Sequence, residues 1–547
     1  MAFLLDTVRD LGRLREIAGV LARHGFGELL QRTGLGSLVS GKRAESSEPN
    51  LAVRVRLVLE ELGPSFIKLG QLLSTRADLL PTDVISELKR LQDNVPPLPF
   101  AEMKLAIEEE LGAPISELFS MFDPQPLASA SIGQVYRALL RTDDGEIAVV
   151  VKAQRPNVAG TIDRDIDLLY LFARAVERSI PESRSYMPVR LVEEFDRAIR
   201  AELDFAQEAD NAERFAQNFA ELDTVRFPKV YRQVSSRKAI TLGYFDGQNV
   251  FDAVARGANA ERIAKNAVQI MVKMVFEHGF FHADPHPGNI LILGEPDQPV
   301  LGLVDLGLVG RLSPRLRDRL IDLLIAAGTR DPRALANALF AIGRPSKKID
   351  RNAYEADVAR LADKYLGRKL ADVAFADLIR DLTGAGLKYG IEMPVELLMV
   401  GKAMMTVEGI ARQLYPALDI VEEIRPHFAA IVGYRYSPER LSSDLLHIAT
   451  RFANAAGDFP GRVDDILEDL RQGRMSIDVR QPSLSQAAER LGRRVFHGLM
   501  AGSLTLGGSL LLGHGRRAEA AFMFGGALLW VLLSSLFLSF GKSGSDR

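Results

Sequence analysis

The chain of 547 residues contains no cysteine, which excludes disulfide bonds, thiolate nucleophiles, iron–sulfur clusters and zinc sites with cysteine ligands. It also lacks a strong charge imbalance, since 68 basic and 71 acidic residues give a net charge of −3. A nucleic-acid-binding protein would show a concentrated basic surface, so the composition predicts no nucleic-acid partner. The sequence has no internal repeats at solenoid periods, and its length suffices for at least two domain-sized cores.

A loop near the middle of the chain carries the most informative polar residues. Asp284 and Asn289 lie five positions apart, and Asp305 follows an apolar, strand-like run and precedes Gly307. Phosphoryl transfer on a kinase-like scaffold uses this set, because one Asp orients or deprotonates the acceptor while the Asn and the second Asp hold Mg²⁺ at the nucleotide phosphates. The spacing therefore predicts Asp284 as a catalytic residue and Asn289 and Asp305 as metal ligands.

A strand-like run at positions 148–151 ends in Lys152, the pattern of a buried strand whose lysine pairs with nucleotide phosphates. Its predicted partner is Glu208, in a helical stretch expected over about 188–220. Glu202 and Asp204 lie in the same stretch, and a continuous helix would place Glu202 within two turns of Glu208, so one helix could serve two sites. The alternative is that some of these carboxylates occupy a solvated helix face.

Six further segments have distinctive sequences: 68–71 (Lys-Leu-Gly-Gln), 74–81, 91–97, 128–135 (Ala-Ser-Ala-Ser-Ile-Gly-Gln-Val), 202–211 and 407–416. Together with the loop and the lysine described above, they resemble the UbiB family of atypical, protein-kinase-like proteins, which is associated with ubiquinone biosynthesis. The resemblance runs from about Leu59 to Ile420, and a similar C-terminal membrane anchor extends it.

The resemblance implies that the loop before Lys152 covers a nucleotide. Ordinary kinases use a Gly-x-Gly-x-x-Gly loop, whereas this loop has one glycine, so its side chains restrict the backbone where phosphates approach. In the family, the alanine-containing loop is associated with altered nucleotide selectivity and suppressed kinase activity. Besides Lys152, the predicted nucleotide-binding residues are Leu127, Ala128, Ser129, Ala130, Ser131, Ile132, Gly133, Gln134 and Val135.

The resemblance also implies catalytic roles for residues outside the kinase motifs. Lys68 and Gln71 project from one face of a predicted helix, and in the family such residues reach the active site and meet the carboxylates matched here by Glu202 and Asp204. We interpret the N-terminal helices as a lid that excludes peptides. The segment after Gly307 runs almost at once into a helical pattern without an Ala-Pro-Glu motif, which favours water, a small molecule or a lipid-associated molecule as acceptor.

Both ends of the chain suggest contact with a membrane. The first 25 or so residues are amphipathic, and they either lie on a membrane surface or pack against the protein body. Near the other end, residues 495–513 and 520–540 contain no Asp, Glu, Lys or Arg, and each stretch is long enough to cross a bilayer as a helix. The alternative for these two stretches is a buried hairpin in a soluble core.

The two apolar stretches are expected to form a tight transmembrane hairpin. Small residues four apart, Gly498 with Gly502 and Ala521 with Gly525, would allow the helices to approach closely. Five basic residues flank the hairpin and two lie in its loop, so both ends are expected on the cytoplasmic side. The catalytic body, which precedes the hairpin, is then expected on the cytoplasmic side of a bacterial-type inner membrane.

The predicted fold class is α+β: a bilobal protein-kinase-like fold with an N-terminal helical lid extension and a C-terminal two-helix transmembrane hairpin. The predicted parts are an amphipathic segment and linker (1–50), the helical extension (51–125), an N-lobe (126–250), a C-lobe (251–425), a helical linker (426–494) and two transmembrane helices (495–541).

Two classes of function remain open. The first is a membrane-anchored, kinase-like ATPase that binds ATP and Mg²⁺, releases ADP and supports ubiquinone biosynthesis by extracting or presenting isoprenoid quinone precursors. Its candidate partners are membrane lipid and quinone-biosynthesis enzymes. The second is a nucleotide-binding regulatory or scaffolding pseudokinase, and a protein kinase is a third alternative. The presence of Lys152, Glu208, Asp284, Asn289 and Asp305 favours the first class, because a pseudokinase often lacks one of these residues.

Overall fold

The computed structural model describes residues 2–34, 50–74, 80–91, 95–329, 331–345, 349–366, 381, 384–386, 388–419, 422, 423, 426, 433, 484–514 and 516–540. The chain divides into two compact units, Met1–Arg440 and Leu441–Arg547. Two segments of the family resemblance, 74–81 and 91–97, lie partly outside the described residues, as does most of the predicted helical linker 426–494.

The helices of the first unit are α1 (Ala2–Arg23), α2 (Gly27–Arg32), α3 (Leu51–Leu62), α4 (Pro64–Leu73), α5 (Thr82–Leu88), α6 (Phe100–Leu111), α7 (Ile115–Leu118), α8 (Val158–Ser179), α9 (Pro188–Glu202), α10 (Phe205–Asn218), α11 (Val250–Ala255), α12 (Ala260–Val272), α13 (Pro314–Gly328), α14 (Pro332–Ile342), α15 (Arg351–Leu366) and α16 (Val395–Leu414). The helices of the second unit are α17 (Leu484–Gly513) and α18 (Arg517–Phe540).

The strands are β1 (Phe119–Ser129), β2 (Gly133–Thr142), β3 (Gly145–Gln154), β4 (Val225–Arg226), β5 (Ala239–Gly243), β6 (Gln248–Asn249), β7 (Phe280–His282), β8 (Ile290–Leu293), β9 (Val300–Leu303), β10 (Val309–Arg311), β11 (Arg344–Pro345) and β12 (Ile391–Glu392). Short 3₁₀ turns span Pro181–Tyr186, Arg232–Val234 and Pro287–Asn289, and a π-helix spans Lys273–His278.

The N-terminal helices pack around one hydrophobic cluster that also includes residues of α8 and α9. Helix α1 contributes Ile17 and Val20, which are 2% and 1% exposed, and Arg13 Nε lies 2.8 Å from a carboxylate oxygen of the buried Asp165 on α8. The later part of the amphipathic segment, which contains Ile17 and Val20, therefore packs against the protein body, as in the second of its two predicted placements. The same cluster contains Ile132, from the predicted nucleotide loop.

Strands β1, β2, β3 and β5 form an antiparallel sheet in this order. Because side chains alternate along a strand, β3 buries Val149 and Val151 in the core shared with α6 and directs Lys152 to the other face of the sheet. Val135 of β2 is the neighbour of Lys152 in the ladder. The loop that joins β1 to β2 is thereby placed beside the lysine.

A second sheet has the order β4-β9-β8-β6, and β7 and β10 pair separately. The largest hydrophobic core joins α12 and α16 to Phe280 and Phe281 of β7. Gly310 of β10 lies so close to the Phe281 ring that an added Cβ would come within 2.0 Å of it, so a larger residue would displace the ring. These elements hold residues 283–289, the predicted catalytic loop, between β7 and β8. The mixture of helices and sheets confirms the α+β class, while the two-lobe arrangement and the domain bounds stay predictions.

The helical stretch expected over 188–220 is two helices, so the prediction of one continuous helix is wrong. Helix α9 ends at Glu202, and Asp204 is the N-cap of α10, where its carboxylate accepts a 3.2 Å hydrogen bond from the backbone N–H two residues further on. An Asp side chain competes for backbone N–H groups and therefore favours a cap over a helix interior. Glu202 and Glu208 consequently lie on different helices.

In the second unit, helices α17 and α18 pack against each other. The contact is close at Gly508, where an added Cβ would lie 3.1 Å from the Phe524 ring. At Gly498, Gly502 and Gly525, in contrast, an added Cβ would meet nothing within 4 Å. Ala521 is exposed as well, so the prediction that these small residues form the helix contact is wrong, because the register of the two helices brings Gly508 to the interface instead.

Among the described residues, one helix segment is long and apolar enough to cross a membrane. This segment, Phe496–Gly513, has a mean hydropathy of 1.2 over 18 residues, and 6% of them are buried. Length and composition give weak support by themselves, since a soluble protein's core helix meets the same criterion. The other predicted span, 520–540, is helical as part of α18, and its crossing of a membrane stays a prediction.

Candidate phosphoryl-transfer site

Lys152 lies at the centre of a charged group drawn from three distant parts of the chain. Its Nζ is 2.9 Å from Glu208 Oε2 on α10 and 2.9 Å from Asp305 Oδ1, just after β9. The centroid of the Phe205 ring lies 5.2 Å from the same Nζ. The structure thus brings together the strand lysine, its predicted glutamate partner and one of the two predicted metal ligands.

The charges of this group stabilise one another. Burial disfavours the ammonium form of Lys152, but the Asp305 and Glu208 carboxylates outweigh it and raise the pKa of the lysine above its ordinary value. The ammonium in turn lowers the pKa of Asp305 to about 2. Burial raises the pKa of Glu208, whose side chain is 4% exposed. The lowered pKa keeps the Asp305 carboxylate ionised at neutral pH, and its side chain, which is 55% exposed, is accessible to a cation.

The backbone of Asp305 adopts the left-handed conformation, with φ at 56°. This costs about 1–3 kcal/mol for a residue other than glycine, so the surroundings must hold it. The carbonyl of Leu306 accepts a 3.0 Å hydrogen bond from Asn211 Nδ2, and Asn211 Oδ1 accepts one of 3.2 Å from Arg311. Sequence reasoning missed the role of Asn211, although its position one turn after Glu208 on α10 was a usable signal.

Strand pairing brings Asn289 next to the residue that precedes Asp305. Strands β8 and β9 are antiparallel neighbours, and Val304 N donates a 3.0 Å hydrogen bond to Asn289 O. The Asn289 side chain is buried, and its Nδ2 donates to Asp284 O at 3.1 Å. Its amide oxygen is therefore the side-chain atom that remains to bind a metal ion.

Asp284 follows β7 at the start of the catalytic loop. Its Oδ1 lies 2.9 Å from Nζ of Lys402 on α16. The sequence analysis assigned no role to Lys402, because α16 carries no kinase motif and lies far along the chain. His282 is fully buried next to the loop, with Nδ1 3.4 Å from Leu308 O, and burial lowers its pKa, so it is neutral near pH 7.

The alanine-containing loop is held in place by Arg155, three residues beyond Lys152. Arg155 Nε donates to Ala130 O at 2.9 Å, and its Nη2 donates to Ser129 Oγ and to Pro96 O, each at 2.8 Å. One guanidinium thereby links the loop to the N-terminal extension. Sequence reasoning missed this residue too, because no motif marks an arginine that binds backbone carbonyls of two separate segments.

The predicted nucleotide-binding residues of this loop differ in exposure. Leu127 and Ala128 are exposed, Ser129, Ala130 and Val135 are half-buried, and Ser131, Ile132, Gly133 and Gln134 are buried. Gln134 Oε1 accepts a 2.9 Å hydrogen bond from Leu98 N, and its Nε2 donates to Tyr136 OH at 3.1 Å. A nucleotide would therefore meet the backbone of Ile132 and Gln134 rather than their side chains.

Of the two predicted lid residues, Lys68 makes the expected contact and Gln71 has a different partner. Lys68 Nζ lies 2.5 Å from Glu202 Oε1, which is the contact that the family resemblance implies between α4 and α9. Gln71 Nε2 donates to Leu91 O at 3.3 Å, while Asp204 caps α10. Within the described part of the chain, Gln71 and Asp204 take these partners rather than each other.

The donor atoms of this site fit Mg²⁺ and a nucleotide. Mg²⁺ prefers oxygen ligands and usually takes one or two carboxylates together with substrate phosphates. Asp305 offers an exposed carboxylate, Asn289 offers an amide oxygen, and Lys152 offers a positive charge to the phosphates. A strand lysine paired with a helix glutamate, beside an Asp–Asn loop and a second Asp, defines an atypical kinase-like protein.

Comparison with known proteins supports this class and identifies the family. The model of the ABC1 atypical kinase-like domain matches residues 90–339, and that of the UbiB helical domain matches residues 358–419. A probable protein kinase UbiB of Pseudomonas putida (strain W619) is 34% identical over 494 residues, which is 89% of each chain. The corresponding protein of Aeromonas salmonicida (strain A449) is 32% identical over 544 residues, covering 96% of this chain and 98% of the relative.

The chain belongs to the UbiB family, which confirms the resemblance found in the sequence. Among solved structures, the chain is similar to the one titled the complex structure of Rv3197-erythromycin from Mycobacterium tuberculosis. The identity is 23%, the TM-score is 0.46, and the match covers 68% of this chain and 95% of the other. A likeness of this size does not by itself establish a shared activity.

Proposed function

We propose that the protein is a membrane-anchored, kinase-like ATPase that binds Mg-ATP at the Lys152 site and supports ubiquinone biosynthesis. The observation that carries the proposal is the Lys152 ammonium, held 2.9 Å from both Glu208 and Asp305. Gathering charges in a partly buried place costs desolvation free energy, and a left-handed Asp adds strain. A purely structural ion pair would need neither the second carboxylate nor the strained backbone. A site for Mg²⁺ and phosphates needs the Asp305 carboxylate for the metal ion and the Lys152 ammonium for the phosphates.

The chemistry follows from the positions of these side chains. Mg²⁺ bound by Asn289 and Asp305 would neutralise charge on the phosphate oxygens. Lys152, oriented by Glu208, binds the phosphates as a second cation. With water as acceptor, its oxygen bonds to the terminal phosphorus while the bond from that phosphorus to the bridging oxygen breaks, and ADP leaves with the electron pair. Asp284 orients the water and accepts its proton, which then passes to solvent.

The shape of the site favours a small acceptor over a peptide. Strand β10 begins at Val309, soon after Asp305, and pairs with β7. Helix α13 begins at Pro314, where Ser313 caps it, so no long segment is available to dock a peptide. On the other side of the site, Ile132 of the nucleotide loop packs into the hydrophobic cluster of the N-terminal helices. This packing supports the interpretation of those helices as a lid.

The membrane part of the proposal rests on α17. Its Leu499, Leu506 and Leu510 are 66%, 67% and 62% exposed, a surface that is unfavourable in water. Quinone precursors with isoprenoid chains are very apolar and stay in the bilayer. An ATPase anchored there could extract them or present them to other biosynthetic enzymes, and the basic residues that flank the hairpin favour a cytoplasmic catalytic body.

A nucleotide-binding scaffold is the second candidate function, and one observation favours it. Arg155 ties the alanine-containing loop to the N-terminal extension through Ala130 and Pro96. A loop that is already fixed suits nucleotide binding without rapid turnover. Transfer of the phosphoryl group to a protein is a third candidate function. It is favoured by the name of the relatives, which are called probable protein kinases.

Phosphate release by the detergent-solubilised full-length protein separates these candidates. We expect Mg²⁺-dependent release of phosphate from ATP that increases when a phenolic quinone precursor is added, because the precursor would be the molecule that ATP turnover acts on. The control is the same mixture with EDTA. Nucleotide binding without phosphate release would favour the scaffold, and transfer of label to a protein substrate would favour the protein kinase.

Removing the hairpin tests the membrane anchor. A chain truncated after Gln481 retains the unit Met1–Arg440, which contains every residue of the nucleotide site, so it is expected to bind Mg-nucleotide. The same chain is expected to restore little quinone to a deficient strain, because it no longer stays near apolar substrates. The measurement is the quinone content of strains that express either form at matched levels.

A fusion of the truncated chain to an unrelated membrane anchor is the matched control. Rescue by this fusion would show that the hairpin acts by keeping the protein at the bilayer. Full rescue by the truncated chain, with none of it in the membrane fraction, would mean that the hairpin is dispensable and that presentation of lipid at the bilayer is the wrong mechanism.

A further inference from the structure

The catalytic loop lacks a positive charge of its own. Residues 283–289 contain neither Lys nor Arg, although the transition state of phosphoryl transfer carries negative charge that cations stabilise. The structure supplies a cation from elsewhere, because Lys402 Nζ on α16 lies 2.9 Å from Asp284 Oδ1. Lys402 lies within the match to the helical domain, 358–419, and outside the match to the kinase-like domain, 90–339.

The helix that carries Lys402 is fixed relative to the catalytic loop. Val400 and Ala403, on either side of it in sequence, are 4% and 0% exposed, and they belong to the same hydrophobic core as Phe281 and Ala283. Ala283 directly precedes Asp284. The packing of α16 therefore sets the distance between the ammonium and the carboxylate.

The loop itself orients the backbone of Asp284 but not its carboxylate. Asp284 O accepts hydrogen bonds from Asn289 Nδ2 at 3.1 Å and from His286 N at 2.8 Å. For the carboxylate, Lys402 is the partner found within the described part of the chain, and it engages Oδ1. Oδ2 is then the oxygen that can accept a proton from the nucleophile.

We propose that Lys402 is a positioning residue for phosphoryl transfer: it orients the Asp284 carboxylate, so that the helical domain completes the site of the kinase-like domain. This inference rests on the proposed ATPase function, because it assigns Lys402 a part in the same step. The nucleophile's oxygen bonds to the terminal phosphorus, ADP departs with the electrons of the broken bond, and the nucleophile's proton goes to Asp284 Oδ2. Lys402 keeps that oxygen directed at the nucleophile.

The test uses full-length protein and steady-state ATP hydrolysis. Lys402→Met removes the charge and keeps an unbranched stem, and we expect kcat to fall by about 10²-fold, as for a misplaced catalytic group, with a much smaller change in KM. Lys402→Arg, which keeps a cation, should retain most of the activity. The matched control is Lys273→Met, since Lys273 also forms a half-exposed ion pair, with Glu277 at 3.0 Å, and should hydrolyse ATP like the wild type.

A double variant that combines Lys402→Met with Asp284→Asn distinguishes a positioning role of Lys402 from a structural one. If Lys402 acts through Asp284, the double variant should be no slower than Asp284→Asn alone. Mg-nucleotide-induced thermal stabilisation, measured for every variant, shows that each is folded. Activity of Lys402→Met equal to that of Lys273→Met, or losses that multiply in the double variant, would overturn the inference while leaving the ATPase function intact. A wild type that hydrolyses no ATP would overturn the ATPase function, and the inference with it.

Discussion

Asp284→Asn is expected to lower the turnover number for ATP by roughly 10²–10⁴-fold, the range for a positioned acid–base group, while the affinity for nucleotide changes much less. The reason is the separation of tasks within the loop. The backbone carbonyl of residue 284, which the substitution retains, accepts a 3.1 Å hydrogen bond from Asn289 Nδ2, so the predicted metal ligand should stay in place. The lost carboxylate is the group that, in the proposed mechanism, orients the nucleophile and takes its proton.

Steady-state phosphate release and nucleotide-induced thermal stabilisation, measured on the same preparation, check this expectation. Asp297→Asn is the matched control, because Asp297 is exposed in the turn between β8 and β9, at the opposite end of this strand pair from Ile290 and Leu303, which adjoin the site. A turnover number for Asp284→Asn close to that of the wild type would remove Asp284 from the catalytic machinery.

Asp305→Asn should abolish the Mg²⁺-dependent part of nucleotide binding. An amide is a weaker ligand for Mg²⁺ than a carboxylate, and Asp305 is one of two predicted ligands. The fold should persist for two reasons: asparagine tolerates the left-handed conformation at φ 56°, and Lys152 keeps its 2.9 Å contact with Glu208. Because the Asp305 side chain is 55% exposed, we expect its lost ion pair to cost about 1 kcal/mol or less.

The measurement is the thermal unfolding midpoint with nucleotide, in the presence of Mg²⁺ or EDTA. At a nucleotide concentration about 100 times Kd, binding adds roughly 2.7 kcal/mol to the free energy of unfolding, which gives a readable shift. The wild type and Asp297→Asn should show the Mg²⁺-dependent shift, and Asp305→Asn should not. A shift of full size in Asp305→Asn would exclude Asp305 as a metal ligand.

The sequence alone was sufficient to identify the family and to predict the residues of the charged group, which are Lys152, Glu208 and Asp305. Local patterns carry this information: an apolar strand that ends in Lys152, an Asp–Asn pair in one short loop, and an Asp before glycine. Each pattern lies within a few residues, where strand alternation and turn geometry limit what the chain can do. The pairing of Lys152 with Glu208 was also predicted, and the structure contains it. The family resemblance implied that Lys68 and Gln71 meet Glu202 and Asp204, and the structure contains the contact between Lys68 and Glu202.

Tertiary structure decided the features that depend on distant packing. The antiparallel pairing of β8 and β9 places Asn289 next to Val304, the residue before Asp305, and Lys402 reaches Asp284 because α16 buries its apolar face beside β7. Asp204 caps the start of α10 after α9 has ended at Glu202, a break that the continuous helical pattern of the sequence did not reveal.

These features share one physical reason. Hydrophobic periodicity shows which face of an element is buried but not which neighbour covers it, so a polar side chain at the edge of that face has no predictable partner. Composition and spacing therefore predicted the chemistry of this site. The packing of α16 beside β7 determined that Lys402 is the cation next to Asp284.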